Sequence, residues 1–491
     1  MGRIFNLEKW KKLARCSGWV AILLAFLLAA CNQTTTPTLS PADPTLTPSP
    51  TRASPTRFTP RPMFVSTPTA TPASNFDLEA SDLQDVEIVF WHPWSDETGK
   101  IITELVNEFN RSNDWGIVVQ AEYQGGYDEL YENVNAALGS ESGPDLVAGF
   151  YYQGLNWHSS DHELVELLPY VDDPVWGFSP SEQADFYPGL WGQELWENGR
   201  FGIPAQRTAQ LLYYNLTWAK ELGFNTAPTT PDQFQRQACA AANTKLADTD
   251  RANDGTGGLI ISTDYDAILN WIFAFDGNVV SSGGDRYTFN TPEVRAAFNF
   301  LRELFDEGCT WVSELEMPEA EFASRQGLFS IGSAAGIPSQ EAAFADLSSK
   351  DEWTVIPFPS GRSQAALATY GPSFMVFQSR PDRELASWLL IKWLTSPTSQ
   401  ARIAQASAHF PVRASSLDLL DRLPQTYPQW SVAAAFLPSA RSEPPFASWR
   451  IVRWAVSDAA TQLFRYYFET FQVPQLVRLL DETANDLHDP D

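Results

Sequence analysis

Cysteine, histidine, methionine and basic side chains are all scarce in this chain. Its 491 residues hold 4 Cys, 5 His, 4 Met and 33 Lys+Arg against 60 Asp+Glu, a formal charge of −27. So acidic a surface repels nucleic acid and anionic lipid, which excludes a nucleic-acid partner. It also disfavours a highly phosphorylated ligand, because no basic patch interrupts it. With no histidine at ligand spacing from a cysteine pair, no metal site is expected, and no cofactor signature is present. There is no G-x-S-x-G, no H-E-x-x-H and no Gly-rich phosphate loop with its lysine. Serine hydrolases, metallopeptidases and nucleotide hydrolases of those types therefore drop out. The apolar run "GWVAILLAFLLAA" at residues 18–30 has 13 residues, short of the roughly 17 to 25 that span a bilayer.

What is present starts with that run. Arg3, Lys9, Lys11, Lys12 and Arg15 precede it, and Leu28, Ala29 and Ala30 lead into Cys31. A basic start, a short apolar stretch and small residues at its end form a signal peptide, assigned to residues 1–30. "LAAC" resembles the lipobox of bacterial lipoprotein signals, which implies that Cys31 is lipidated and becomes the new N-terminus. Cleavage leaves 28 basic against 59 acidic residues, a charge of −31. Residues 31–80 follow as a Thr/Pro/Ser-rich tether, whose repeated prolines favour extended polyproline geometry over a compact core. The protein is thus expected outside the cytoplasm, bound to the bilayer through Cys31.

The remaining stretch, about 81–491, is long enough for two lobes with their own cores. "VEIVFWHPW", "GKIITELVNEFNRS", "GIVVQAEYQG", "YDELYENVNAALGSES" and "PDLVAGF" read as strand, helix, strand, helix, strand. That order belongs to an α/β fold with a parallel sheet covered on both faces. Ligands in such folds meet the loops beyond the C-terminal strand ends, here "WHPW", "QGGY" and "GFYYQGLNW". All three are rich in aromatics, and the chain holds 18 Trp, 15 Tyr and 31 Phe. Flat rings suit a carbohydrate or apolar-ligand cleft. Cys239 and Cys309 are an isolated pair in an extracytoplasmic body and are expected to form a disulfide.

The ordered set "VEIVFWHPW", "GPDLVAGF", "FGIPAQRTAQLLYYN", "LFSIGSAAGIP", "WTVIPFPSG", "YGPSFMVFQ" and "WLTSPTSQARIAQASAHFPVRAS" resembles the family 1 extracellular solute-binding lipoproteins of ABC importers. This is the group of maltose- and other sugar-binding proteins. The resemblance implies a two-lobed, type II periplasmic-binding-protein fold with an interlobe cleft, a hinge of several crossings and an ABC permease as partner. It also implies lobes at 81–204 plus 358–412 and at 205–357 plus 413–491. A receptor for a neutral saccharide follows, with a polyol or a cationic solute such as a polyamine as the other solutes considered. A glycan-active enzyme is the competing class, needing two carboxylates across the cleft.

Ligand-binding candidates are Trp91, Trp94, Tyr127, Tyr151, Tyr152, Arg207, Trp271, Gly336, Tyr370 and Trp449. Tyr151 and Tyr152 alternate, so one faces inward and the other the cleft. Arg207 offers either a fork of donors to hydroxyls or a salt bridge to an acid. Trp271 lies on an apolar helix and serves core or cleft. Trp449 follows two prolines and is placed in the cleft.

Overall fold

The computed structural model describes residues 73–139, 143–159, 164–196, 199–315, 318–360 and 367–488. The signal segment, Cys31 and the tether up to residue 72 lie outside them.

Strand β1 (Glu87–His92) turns Ile88 and Phe90 to one side of its sheet and Trp91 to the other. The helix Asp96–Ser112 covers the first side with Ile102, Leu105, Val106 and Phe109, spaced three and four apart on one face. Its first turn carries Asp96 and Glu97 and its last Arg111, each sign matching the helix dipole. Asn113 ends it by donating to the Phe109 carbonyl while accepting from the Ile117 N–H. β2 (Val118–Tyr123) and β3 (Leu146–Phe150) then flank β1 in parallel. The sequence places an aromatic loop after β3. Instead, Tyr151–Ser159 is a helix that starts at once, so Tyr151 and Tyr152 occupy its first turn.

The later strands are β4 (Leu195–Trp196), β5 (Gly199–Arg200), β6 (Ile203–Pro204), β7 (Thr208–Asn215), β8 (Gly257–Ile261), β9 (Thr310–Val312), β10 (Gly327–Ser333), β11 (Trp353–Ile356), β12 (Leu367–Tyr370), β13 (Pro372–Val376) and β14 (Ala440–Ser442). β4 and β5 form a small hairpin. The others build two mixed sheets, one per lobe. The first runs β2-β1-β3-β13-β6, and the second runs β14-β12-β7-β10-β8-β9 with β11 also on β7.

The chain passes from the first sheet to the second between β6 and β7, and returns at Gly371 between β12 and β13. The boundary expected at 357/358 therefore moves to Gly371. β12 finds its backbone partners in β7 and β14, and Phe358 packs edge-on against Trp271 of the second lobe, their centroids 4.9 Å apart. Gly371 has φ +149°, and a Cβ there would lie 2.5 Å from the Gln206 carbonyl oxygen, so only glycine lets the two crossings touch. Phe410 joins them by exchanging two backbone hydrogen bonds with Arg207.

Arg207 is not a ligand fork but the staple of these crossings. Its guanidinium is fully buried and donates to Gln193 Oε1, to the Gln206 and Pro372 carbonyls, to Glu194 and to Ser373 Oγ. Ser373 in turn donates to Glu194 Oε1 at 2.7 Å. Every donor group has a protein partner, and none remains for a solute.

In the second lobe, Cys239 on the helix Pro231–Ala247 is bridged to Cys309, with Cα atoms 4.4 Å apart. Cys309 stands just ahead of β9, beyond the end of the helix Pro292–Asp306, so the bridge ties a helix to a strand entry. Glu307 lies beside the pair. With both sulfurs in the bridge, the three residues lack the thiolates a metal would need.

Removing one partner of the buried Arg207–Glu194 pair strands a charge away from water. Arg207→Ala is expected to cost about 3 to 5 kcal/mol in urea denaturation. A loss below about 1 kcal/mol would mean that the crossings are held by other contacts.

Candidate functional site

The C-terminal ends of β1, β2 and β3 in the first lobe bring rings toward the second lobe. Trp94 lies just beyond β1, packed on Phe90, His92 and Phe374. Tyr127 opens the helix Tyr127–Ala137 and packs on Phe150, the last residue of β3, with centroids 4.5 Å apart. Phe150 stacks in turn on Tyr152 at 5.2 Å and 8°. Burial keeps the Tyr127 phenol protonated well above its ordinary pKa, beside the Trp94 indole and the Gln206 amide.

The second lobe answers with polar groups set among rings. Tyr265 and Asp266 start the helix Tyr265–Ala274 just after β8. Gln210 on β7 donates to Asp266 Oδ2 at 2.8 Å and to the Tyr370 hydroxyl at 3.0 Å. Glu443 follows β14 and accepts from the Trp449 indole N–H at 2.8 Å. Arg453, one turn along the helix Trp449–Leu463, donates to the hydroxyls of Tyr152 and Tyr265 and stacks over both rings. Contacts that link the lobes directly include Arg453 with Tyr152, the Asn156 amide with the Ala447 carbonyl at 2.8 Å, Ser442 Oγ with the Gly189 carbonyl at 2.9 Å, and the Arg450 guanidinium 4.8 Å over the Tyr131 ring.

Burial dominates the electrostatics. It raises the Asp266 carboxyl, and it lifts Glu443 to about 7, beyond what Trp449 and Arg453 offset. Asp266 accepts from Gln210 and from the Ala267 N–H, and Glu443 from Trp449. A carboxylate has about four lone-pair sites, so both keep acceptor capacity for hydroxyl donors. On the far side of Trp94, burial holds His92 neutral, with its pKa lowered to about 4.

The structure sorts the sequence candidates unevenly. Tyr127 lies beside Trp94, and Tyr152 and Tyr370 both neighbour Tyr265 and Glu443 of the second lobe. Gly336 lies in the turn after β10, its N–H donating to Ser333 Oγ. Tyr151 is the inward partner, packed in the first lobe with its hydroxyl on the Glu194 carbonyl. Trp91 is also core. It packs with Leu130 and Val134 on the opposite sheet face, its indole N–H on Glu122. Trp271 is fully buried among Phe234, Phe300 and Phe358. Trp449 is not an open platform: it is fully buried, and its N–H is committed to orienting Glu443.

Sequence reading missed Gln210, Tyr265, Asp266, Glu443 and Arg453. A signal existed for two of them. Asp266 is a carboxylate on a helix otherwise made of apolar residues and Asn270. Arg453 interrupts the buried stripe of Val452, Val456 and Ala460.

Residues 104–434 match the family described as bacterial extracellular solute-binding protein. The chain belongs to that family, as a two-lobed, type II periplasmic-binding-protein fold that works outside the cytoplasm and binds a solute without catalysis. A binding protein of Brucella abortus (strain 2308) is 21% identical over 381 residues, 76% of this chain and 86% of that one. The cyclic alpha-maltosyl-1,6-maltose binding protein of Arthrobacter globiformis shares the fold with a TM-score of 0.70 at 17% identity, over 82% and 99% of the two chains. UgpB from Mycobacterium tuberculosis, solved with glycerophosphocholine, gives 0.63 at 19% identity, over 82% and 98%. No helix among the described residues is long and apolar enough to cross a membrane.

The raised pKa of Glu443 has a definite sign for stability. The folded protein holds a proton that the unfolded chain releases above about pH 4.5, so stability falls as pH rises from there to about 7. Glu443→Gln keeps the acceptor for Trp449 and removes the titration. Its melting temperature should match wild type near pH 5 and exceed it at pH 8. A difference that does not vary with pH would place Glu443 in contact with water.

Proposed function

We propose that the protein captures a neutral sugar or short oligosaccharide and delivers it to an ABC-type permease, held at the outer membrane face by lipidated Cys31. One observation carries the reading. Two buried carboxylates with spare acceptor capacity, Asp266 and Glu443, lie near the ring cluster in which Tyr127 tilts against Phe150 and Phe150 stacks on Tyr152. Sugars offer hydroxyl donors at their edges and apolar C–H faces for rings, and this cleft has both kinds of partner. A ligand bound between the lobes shifts the population toward the closed arrangement that Arg453, Asn156 and Arg450 bridge.

The sugar bound by the Arthrobacter relative agrees with this choice. A phosphodiester such as the ligand of the mycobacterial relative would meet two carboxylates and one cation already engaged by tyrosines. A polyamine would meet Arg453, fixed between Tyr152 and Tyr265. A polyol presents hydroxyls but no flat apolar face, so it would forfeit the ring contacts.

A thermal-shift panel of sugars, polyols, polyamines and glycerophosphocholine tests the choice. A ligand at about 100 times its Kd adds roughly 2.7 kcal/mol of stability. We expect a saccharide to give the largest shift and Asp266→Asn to weaken its binding about tenfold or more, the worth of a charge-assisted hydrogen bond. A response to spermidine with none to any saccharide would overturn the reading. Separately, mass spectrometry of the mature N-terminus should find a lipidated Cys31, and an intact Met1 would remove the anchor.

A further inference from the structure

We propose that closure of the two lobes is proton-linked through Glu443, so that the protein is biased toward closing in mildly acidic surroundings and loses that bias as they approach neutral pH. The inference rests on the reading of the cleft as one that closes, and not on which solute fills it.

The chain around Glu443 is pinned to the first lobe on both sides. Ser442 Oγ donates to the Gly189 carbonyl at 2.9 Å, and the Asn156 amide donates to the Ala447 carbonyl at 2.8 Å. Gly189 comes so close to β14 that a Cβ there would stand 2.3 Å from the Ala440 carbonyl oxygen. Glu443 lies between these two contacts, 6% exposed, with Tyr152 of the first lobe among its neighbours. Its carboxyl is shut off from water at the seam of the lobes.

The groups facing this carboxyl come from both lobes and from the crossing between them. Trp449 donates its indole N–H, Arg453 and Arg207 are the cations, Asp266 is the anion, and Tyr265, Tyr370 and Tyr152 are phenols. Both cations are already engaged. Arg207 is spent on Glu194, and Arg453 is held by the hydroxyls of Tyr152 and Tyr265. Burial therefore dominates, and Trp449 and Arg453 offset only part of it, so the group titrates at about 7.

Ionisation then favours opening in two ways. Water admitted between the lobes solvates the carboxylate, which the closed seam does not. The new charge also competes with Tyr152 for the Arg453 guanidinium and draws it toward its own lobe. Closed lobes thus hold the proton more tightly than open ones. A group whose pKa is raised in the closed form favours closure fully below its ordinary value of 4.5, and that bias is lost as pH rises to about 7. A solute that binds the closed form loses affinity over the same window.

Single-molecule energy transfer between dyes on the two lobes, with no solute present, tests the link between about pH 5 and 8.5, the range that brackets the loss of the bias. The wild-type ratio of closed to open molecules should fall about tenfold or more from roughly pH 5.5 to 7.5, and Glu443→Gln should hold it constant. Trp449→Phe removes the N–H that favours the carboxylate, so its midpoint should move to higher pH. Circular dichroism checks the fold of each variant. A wild-type ratio that stays constant with pH, at whatever level, would overturn the proposal. So would an unaltered pH dependence in Glu443→Gln, or an unmoved midpoint in Trp449→Phe. Failure of every saccharide to bind, with the ratio still moving with pH, would remove the sugar reading and leave the proton link in place.

Discussion

The Arg207 guanidinium sits without access to water where the chain leaves one sheet and returns to it, and the geometry of the cleft is built outward from that point. Its donors reach Gln206 on one crossing, Pro372 and Ser373 on the other, and Gln193 and Glu194 on the turn ahead of β4. A buried charge is tolerated only when every donor is met, so this arrangement admits little freedom. Gly371 permits the close approach, and Phe410 pairs with the backbone of Arg207 itself. Tyr370 lies directly next to Gly371, so the staple also sets the position of a cleft residue.

From these crossings the two walls acquire different chemistry. The first lobe presents rings from strand ends, because its sheet runs β1, β2 and β3 in parallel and sends all three C-terminal ends the same way. The second lobe presents carboxylates, an amide and a guanidinium from helix starts and a strand end. Asp266 and Glu443 lose solvation there, which raises both carboxyls, and Arg453 is held by two phenols rather than by either acid. Such groups are costly in a core and informative in a cleft, since a ligand can satisfy what the protein leaves open.

Much of the fold was legible in local pattern. Strand-helix alternation located β1 to β3 and the helices between them, and the isolated cysteine pair named its own bridge. The candidate site was less legible, for a specific reason. Trp91 and Trp94 are separated by two residues, yet one packs beneath the sheet and the other reaches the cleft. Strand parity turns Trp91 away, whereas Pro93 releases Trp94 from the strand. Tyr151 and Tyr152 part in the same manner around a helix. Trp449 looked exposed behind its prolines, but Tyr265 and Tyr287 close over it.

Composition and order by themselves determined an acidic, aromatic-rich chain of alternating strands and helices, long enough for two lobes, and the ordered motifs carried the resemblance that implied a solute receptor. These properties are carried by periodicity, short motifs and charge balance, which act over a few residues or over the whole chain. Tertiary structure decided which rings and charges meet. Asp266, Tyr370 and Glu443 come from separate strands and helices, and their shared environment exists only once β7, β12 and β14 lie side by side. It likewise decided that Arg207 would be spent on the fold. A guanidinium is equally able to bind a sugar or a buried glutamate, and only the packing of Glu194 beside it selects between them.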